Sequence, residues 1–239
     1  MAIFTMSDLH LSLDTDKSME VFGSLWSNYI ERIYENWNSV VSDCDTVLVG
    51  GDISWAMHLE DCKKDFEFIN SLPGKKIFFK GNHDYWWESM NKMNTFLAEN
   101  GFDTIAIANN NAFICEECLV TGSRLWSLPA DSGFGADDEK IYLRELARLR
   151  LSMEYGETLC SGEGIIPQRR ICILHYPPFS RDGVLDANVA SLLKEFSVTD
   201  CFYGHLHSSS VKNAFEGEED GIIYRLVSAD YLGFMPFRI

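Results

Sequence analysis

Four residues, Gly81-Asn82-His83-Asp84, follow the apolar run Ile77-Phe78-Phe79 after a single lysine, Lys80. A short, aromatic-rich run after the turn signal Pro73-Gly74 predicts a buried strand over residues 75–80, whose carboxyl end must deliver these polar groups into a crevice. Gly81 permits a sharp turn, Asn82 offers an amide oxygen to a hard cation, and His83 offers an imidazole able to move a proton near neutral pH. A chain that buries such a strand needs neighbours that supply partners at the same end.

The pattern recurs. Residues 2–6 run into Ser7-Asp8-Leu9-His10, and residues 46–49 run into Gly50-Gly51-Asp52. Residues 170–174 run into His175-Tyr176-Pro177-Pro178, and residues 200–203 into Gly204-His205-Leu206-His207. Between the first two strands, Phe22, Trp26, Tyr29, Ile30, Ile33, Trp37 and Val40 recur at three- and four-residue intervals and predict a helix from about Ser18. A second helix is expected over 59–71, which completes a β-α-β-α-β unit. Parallel strands joined by right-handed crossovers align their carboxyl ends, so Asp8, His10, Asp52, Asn82 and His83 should share one edge. After a helix near 89–100, short extended pieces at 105–108, 112–114 and 119–122 predict a second sheet. Residues 133–164 read as a helical insertion near the site, capped by Asp137-Asp138 and helical to about Tyr155. A last strand is expected over 222–226, after an acidic turn at 217–220.

The 239 residues, 46% of them apolar, suffice for one substantial core, so a single domain over 1–239 is expected. A net charge of −16 repels phosphate backbones and anionic membrane surfaces, which disfavours a long nucleic-acid partner. The first residues lack the basic start of a signal peptide, and no stretch is long and apolar enough to span a membrane. Seven cysteines without a regular framework suggest reduced thiols and a cytoplasmic location. Cys115 and Cys118 have zinc-like spacing but no second pair, and read better as residues flanking a Glu116-Glu117 hairpin turn.

Taken singly, each strand-end signal is weak, because a lone Gly-Asp is a common turn and a lone histidine is commonly hydrogen-bonded structure. Jointly they are specific. Five of the six histidines, all but His58, fall at these strand ends beside Asp8, Asp52 and Asn82. The ordered set resembles the calcineurin-like metallophosphoesterases, and the resemblance extends from Asp8 to His207. It implies a four-layer α/β/β/α sandwich of two mixed sheets. It further implies that Asp8, His10, Asp52 and His207 bind one metal and Asp52, Asn82, His175 and His205 another, with Asp52 shared. Mixed oxygen and nitrogen donors of this kind suit Mn, Fe or Zn.

By the same resemblance, the activity is hydrolysis of a small phosphate mono- or diester by a metal-bridged hydroxide, with His83 protonating the leaving group. The Asp-Arg that follows the bridging aspartate in the family's protein phosphatases is absent here, where Asp52 is followed by Ile53-Ser54-Trp55-Ala56-Met57-His58. Asp84 is then a candidate to orient His83, or else a cap for a helix at Tyr85-Trp86-Trp87. Arg124 and Arg181 are candidate phosphate contacts, and His58 is expected to be partly buried. Alternatives are a nuclease or cyclic-nucleotide phosphodiesterase of the same superfamily, or an interaction scaffold that has lost catalysis. Composition says nothing of oligomeric state.

Overall fold

A computed structural model describes residues 1–15 and 17–239. Its first half runs β1 (Ile3–Met6), α1 (Tyr29–Val40), β2 (Thr46–Val49), α2 (Lys63–Ser71), β3 (Lys75–Phe78), α3 (Met90–Asn100) and β4 (Ile105–Ile107). The second half runs β5 (Phe113–Cys115), β6 (Cys118–Ser123), α4 (Ala136–Glu163), β7 (Arg169–Leu174), α5 (Ala187–Glu195), β8 (Asp200–Tyr203), β9 (Gly217–Glu219), β10 (Ile222–Leu226) and β11 (Phe237–Arg238). The strands form two mixed sheets, ordered β11-β1-β2-β3-β4 and β5-β6-β7-β8-β10-β9. Strands β1 to β4 are parallel, as are β6, β7, β8 and β10, whereas β5, β9 and β11 pair antiparallel at edges.

Period-two alternation along the strands explains the layering. Phe4, Met6, Val47 and Val49 face the helical layer of Ile33, Trp37, Phe66 and Met93, while Ile3 and Leu48 face the other sheet, meeting Val120, Ile171 and Ile173. On the far side, Cys172, Leu174, Cys201 and Tyr203 pack against Leu149, Met153, Val189 and Leu193 of α4 and α5. The sheets also join directly where the strand ends meet. Ser7 N donates to Val227 O and Ala229 N donates to Ser7 O, so the end of β1 runs beside the extension of β10.

Several local expectations differ from the structure. The helix expected from Ser18 starts only at Tyr29, preceded by 3-10 turns at Met19–Phe22 and Ser24–Trp26. Gly23 at φ 115° and Asn28 at φ 51° interrupt any continuous helix, and Phe22, expected in the apolar stripe, is 64% exposed. The stretch 133–164, expected as a helical insertion, carries α4, which joins the parallel strands β6 and β7 and buries Tyr142, Leu149 and Met153. Its helix extends eight residues past Tyr155, and at Gly156, where a side chain would press on Leu119 and Ala112, it lies close to the sheet. The acidic segment before β10 is itself a strand, β9, and the turn falls at Asp220-Gly221. Cys115 and Cys118 do pair across a two-residue hairpin with Glu116 at φ 55°. Among the described residues no helix is long and apolar enough to cross a membrane.

Candidate metal centre

The loops after β1 and β2 are stitched together by their own backbones. Asp8 N donates to Gly51 O, His10 N to Asp52 O and Leu11 N to Ile53 O, which carries the parallel pairing past the strand ends. Asp8, His10, Asp52 and His205 all have left-handed backbones, with φ between 47° and 70°. For non-glycine residues that conformation costs about 1 kcal/mol or more each, and it persists because the surrounding bonds over-determine it. Close approach also demands glycine. A Cβ on Gly81 would overlap Asp52 Oδ1, and one on Gly204 would overlap Ser7 Oγ and Asp8 Oδ2.

Asp84 neither orients His83 nor caps a helix at 85–87, which is not helical. Its buried carboxylate accepts N–H bonds from Asp52, Ile53, Ser54 and Gly81 and from the Trp86 indole, at 2.7–3.4 Å, buckling the loop after β3 to the loop after β2. Burial and the neighbouring Asp52 push it up to about 6, against the pull of these donors. His83 lies beside it but turns away. His83 N donates to Asp52 Oδ1 at 2.7 Å, its ring Nε2 is 4.0 Å from Asp52 Oδ2, and its face tilts against Trp55 at 4.4 Å.

Two clusters of ligand-type atoms result, Asp8, His10 and His207 in one and Asp52, His175 and His205 in the other, each within 4.8 Å. Hydrogen-bond logic tests whether they fit cations. The Nδ1 of His175 contacts Gly50 O at 3.0 Å and must donate to it, which leaves Nε2 facing Asn82 Oδ1 at 2.8 Å and Asp52 Oδ2 at 3.4 Å. Likewise His207 Nδ1 bonds Asp230 Oδ1 at 2.9 Å, leaving Nε2 against Asp8 Oδ1 at 3.1 Å and His10 Nε2 at 3.3 Å. Lone pairs converge on lone pairs at both points, and either a proton or a cation must lie between them. The donor set therefore fits metal binding.

Charge follows the same geometry. Burial holds His10 down at about 4 and His205 at about 3. Burial also pulls on His175 and His207, but Asp52 outweighs it for the first, raised to about 9, and Asp8 with Asp230 for the second, raised to about 10. Burial would raise Asp8 and Asp52 too. Instead His207 holds Asp8 far below the usual carboxylate range, and His175 holds Asp52 at about 2.

The two arginines lie apart from these clusters. Arg124 pairs with the buried Glu145 at 3.0 Å and lies over Trp126, whereas Arg181 sits on an exposed turn lining a cleft of about 550 Å³ that His205 also lines. His58, expected partly buried, is exposed. Sequence reasoning missed Asp230, a lone aspartate after the last long strand, and the placement of Trp26, whose indole edge backs both His10 and His207 at under 6 Å. Only its interruption by Gly23 and Asn28 hinted that Trp26 was not in a helix.

Two sheets sandwiched by helices, with a candidate metal centre on their shared rim, define the class. The chain belongs to the calcineurin-like phosphoesterase family, whose model matches residues 1–209. An uncharacterized protein of Methanocaldococcus jannaschii, MJ1445, is 32% identical over 79 residues, 33% of this chain and 42% of the relative, so the match spans less than half of that relative's length. The phosphopantetheinyl hydrolase of Mycobacterium tuberculosis superposes with a TM-score of 0.52 at 14% identity, covering 100% of this chain and 95% of its own; at that identity the likeness shows the fold.

Proposed function

We propose that the protein hydrolyses small phosphate mono- or diesters with two divalent cations, one held by Asp8, His10, Asp52 and His207 and the other by Asp52, Asn82, His175 and His205. The observation that carries this reading is the pair of points where imidazole and carboxylate lone pairs converge, with Asp52 Oδ2 within 4 Å of ring nitrogens of both His10 and His175. Mn, Fe and Zn suit such mixed donors. Two such cations make a water nucleophilic near neutral pH and offset the charge of the phosphate oxygens.

The chain's own groups account for the rest. Water attacks phosphorus in line, the bond from phosphorus to the leaving oxygen breaks, and one proton of the water is lost to solvent. His83, one third exposed and outside both ligand sets, delivers a proton to the leaving oxygen from Nε2. Trp55, stacked on His10 at 5.0 Å, shields that side from water. Absence of the Asp-Arg after Asp52 argues against a phosphoprotein substrate, and the net charge of −16 against a long nucleic acid. The test is hydrolysis of p-nitrophenyl phosphate and bis-p-nitrophenyl phosphate after chelation and reloading with Mn²⁺. Turnover that returns with metal, at two ions per chain, is expected. No turnover of either ester with any divalent metal sinks the reading in favour of a scaffold.

A further inference from the structure

Beyond the strand-end rim, the cleft lined by His205 is also walled by Trp126, Tyr176 and Phe179, and its rim carries Arg181 and Lys212. Its size, about 550 Å³, suits an organic group well beyond a phosphate ion. The inner end is aromatic: Tyr176 stacks on His205 at 4.0 Å and Trp126 packs on Tyr176 at 5.0 Å.

Two cations, Arg181 and Lys212, also line the cleft. Arg181 lies two residues past Phe179 and Lys212 three before Phe215, and these two rings stack at 4.4 Å, clamping both segments into one wall. A further anchor holds the Lys212 segment to the metal centre, since Ser210 Oγ accepts from His207 N and donates to His207 O. Neither cation has a carboxylate within 4.0 Å among the described residues. The two carboxylates on the cleft are turned to other donors, Asp138 to Trp126 Nε1 and Gly135 N, and Asp131 to Leu128 N. In a chain with 36 acidic and 20 basic residues, two cations that line one cleft, each without a carboxylate within 4.0 Å among the described residues, offer an anion two charge-assisted partners.

We propose that this cleft takes the leaving group of the substrate, an aromatic or otherwise flat group ending in a second anionic group, phosphate or carboxylate, which Arg181 and Lys212 bind. The assignment rests on the phosphoesterase reading above. It makes the substrate class a phosphate ester whose organic product is itself an anion.

Three esters of similar leaving-group acidity test it on the Mn²⁺-loaded full chain: para-butylphenyl phosphate, para-(carboxypropyl)phenyl phosphate and para-(phosphonopropyl)phenyl phosphate. Wild-type kcat/KM should favour at least one anionic ester over the butyl ester by about tenfold, the value of one charge-assisted contact, and the stronger preference tells carboxylate from phosphate. In the Arg181→Ala/Lys212→Ala variant that ratio should fall to about one. A ratio unchanged by the double substitution, or no preference in the wild type, overturns the proposal. Calorimetry with the two anionic phenol products reads the cleft without turnover. If no ester is hydrolysed, binding of either product to wild type but not to the variant upholds the cleft while the phosphoesterase reading fails; equal binding, or none, overturns the cleft assignment.

Discussion

The two rims of the crevice are built on opposite principles. On the first-sheet rim, the loops carrying Asp8, His10 and Asp52 bond through their backbones, and Asp84, with five N–H donors, ties the loop carrying Asn82 and His83 to them. On the second-sheet rim, Gly204 N donates to His175 O, Asp230 holds both His207 Nδ1 and Ser208 N, Gly50 O takes His175 Nδ1, and the chain beyond opens onto the cleft. Five donors on one buried carboxylate fix the ligand positions of the first rim, whereas the second rim, tied by pairwise bonds, continues into exposed segments that can vary in what they present to a substrate. Under the two proposals above, the difference separates where chemistry is held from where selectivity resides.

The contrast breaks most decisively at Asp52, which touches both clusters. Asp52→Asn should lower kcat/KM on the order of 10³-fold or more and lower the metal content of both sites; loss of one ion only would show that Asp52 serves a single cluster. Asp84→Ala strips one buried acceptor from five donors and should cost about 3–5 kcal/mol of stability by denaturant unfolding, while Asp84→Asn, which keeps an oxygen, should cost less. Equal, small losses for both would mean that the first rim is not held by Asp84.

His83→Ala should cut turnover of an unactivated alkyl ester on the order of 10²-fold while both metals stay bound, and full turnover would remove it from the mechanism. Asp65 tests the rigidity of the first rim by pH. It is buried beneath that rim, accepting from Leu13 N at 2.8 Å and from Ser54 Oγ, and burial raises it to about 6. A carboxyl raised on folding binds its proton more tightly in the folded state. Its contribution is therefore most favourable below about pH 4 and is lost as pH rises to about 6, by up to about 3 kcal/mol. That slope in the unfolding free energy should vanish in Asp65→Asn. The smallest effect is expected on the second rim, where Asp230→Asn should weaken metal affinity by about tenfold with little change in stability. A loss as large as that at Asp84 would mean that the two rims are braced alike.

Much of the site was legible because strand periodicity is local: an apolar run ending in Asp, His or Asn reads the same in sequence as in space, and five such ends give one rim wherever the strands are parallel. Failures occurred where a residue's role depends on partners distant in the chain. Asp84 sits where a helix cap would, yet its donors include Asp52 and Ile53, over thirty residues away. Asp230 follows His207 by 23 residues with no motif around it. The 133–164 stretch reads in sequence as a capped helix with no stated place in a sheet, and only the parallel pairing of β6 with β7 makes it the crossover between them.

Sequence alone determined the layered α/β class and the kinds of atom gathered at the strand ends, since side-chain chemistry and period-two burial are carried by neighbouring residues. Tertiary structure decided which loops are tied, which histidine nitrogens face the centre, and that Arg124 is bound to Glu145 while Arg181 is left for the cleft. Those outcomes depend on hydrogen bonds and ion pairs across long sequence separations, where direction and distance are set only once both sheets have packed.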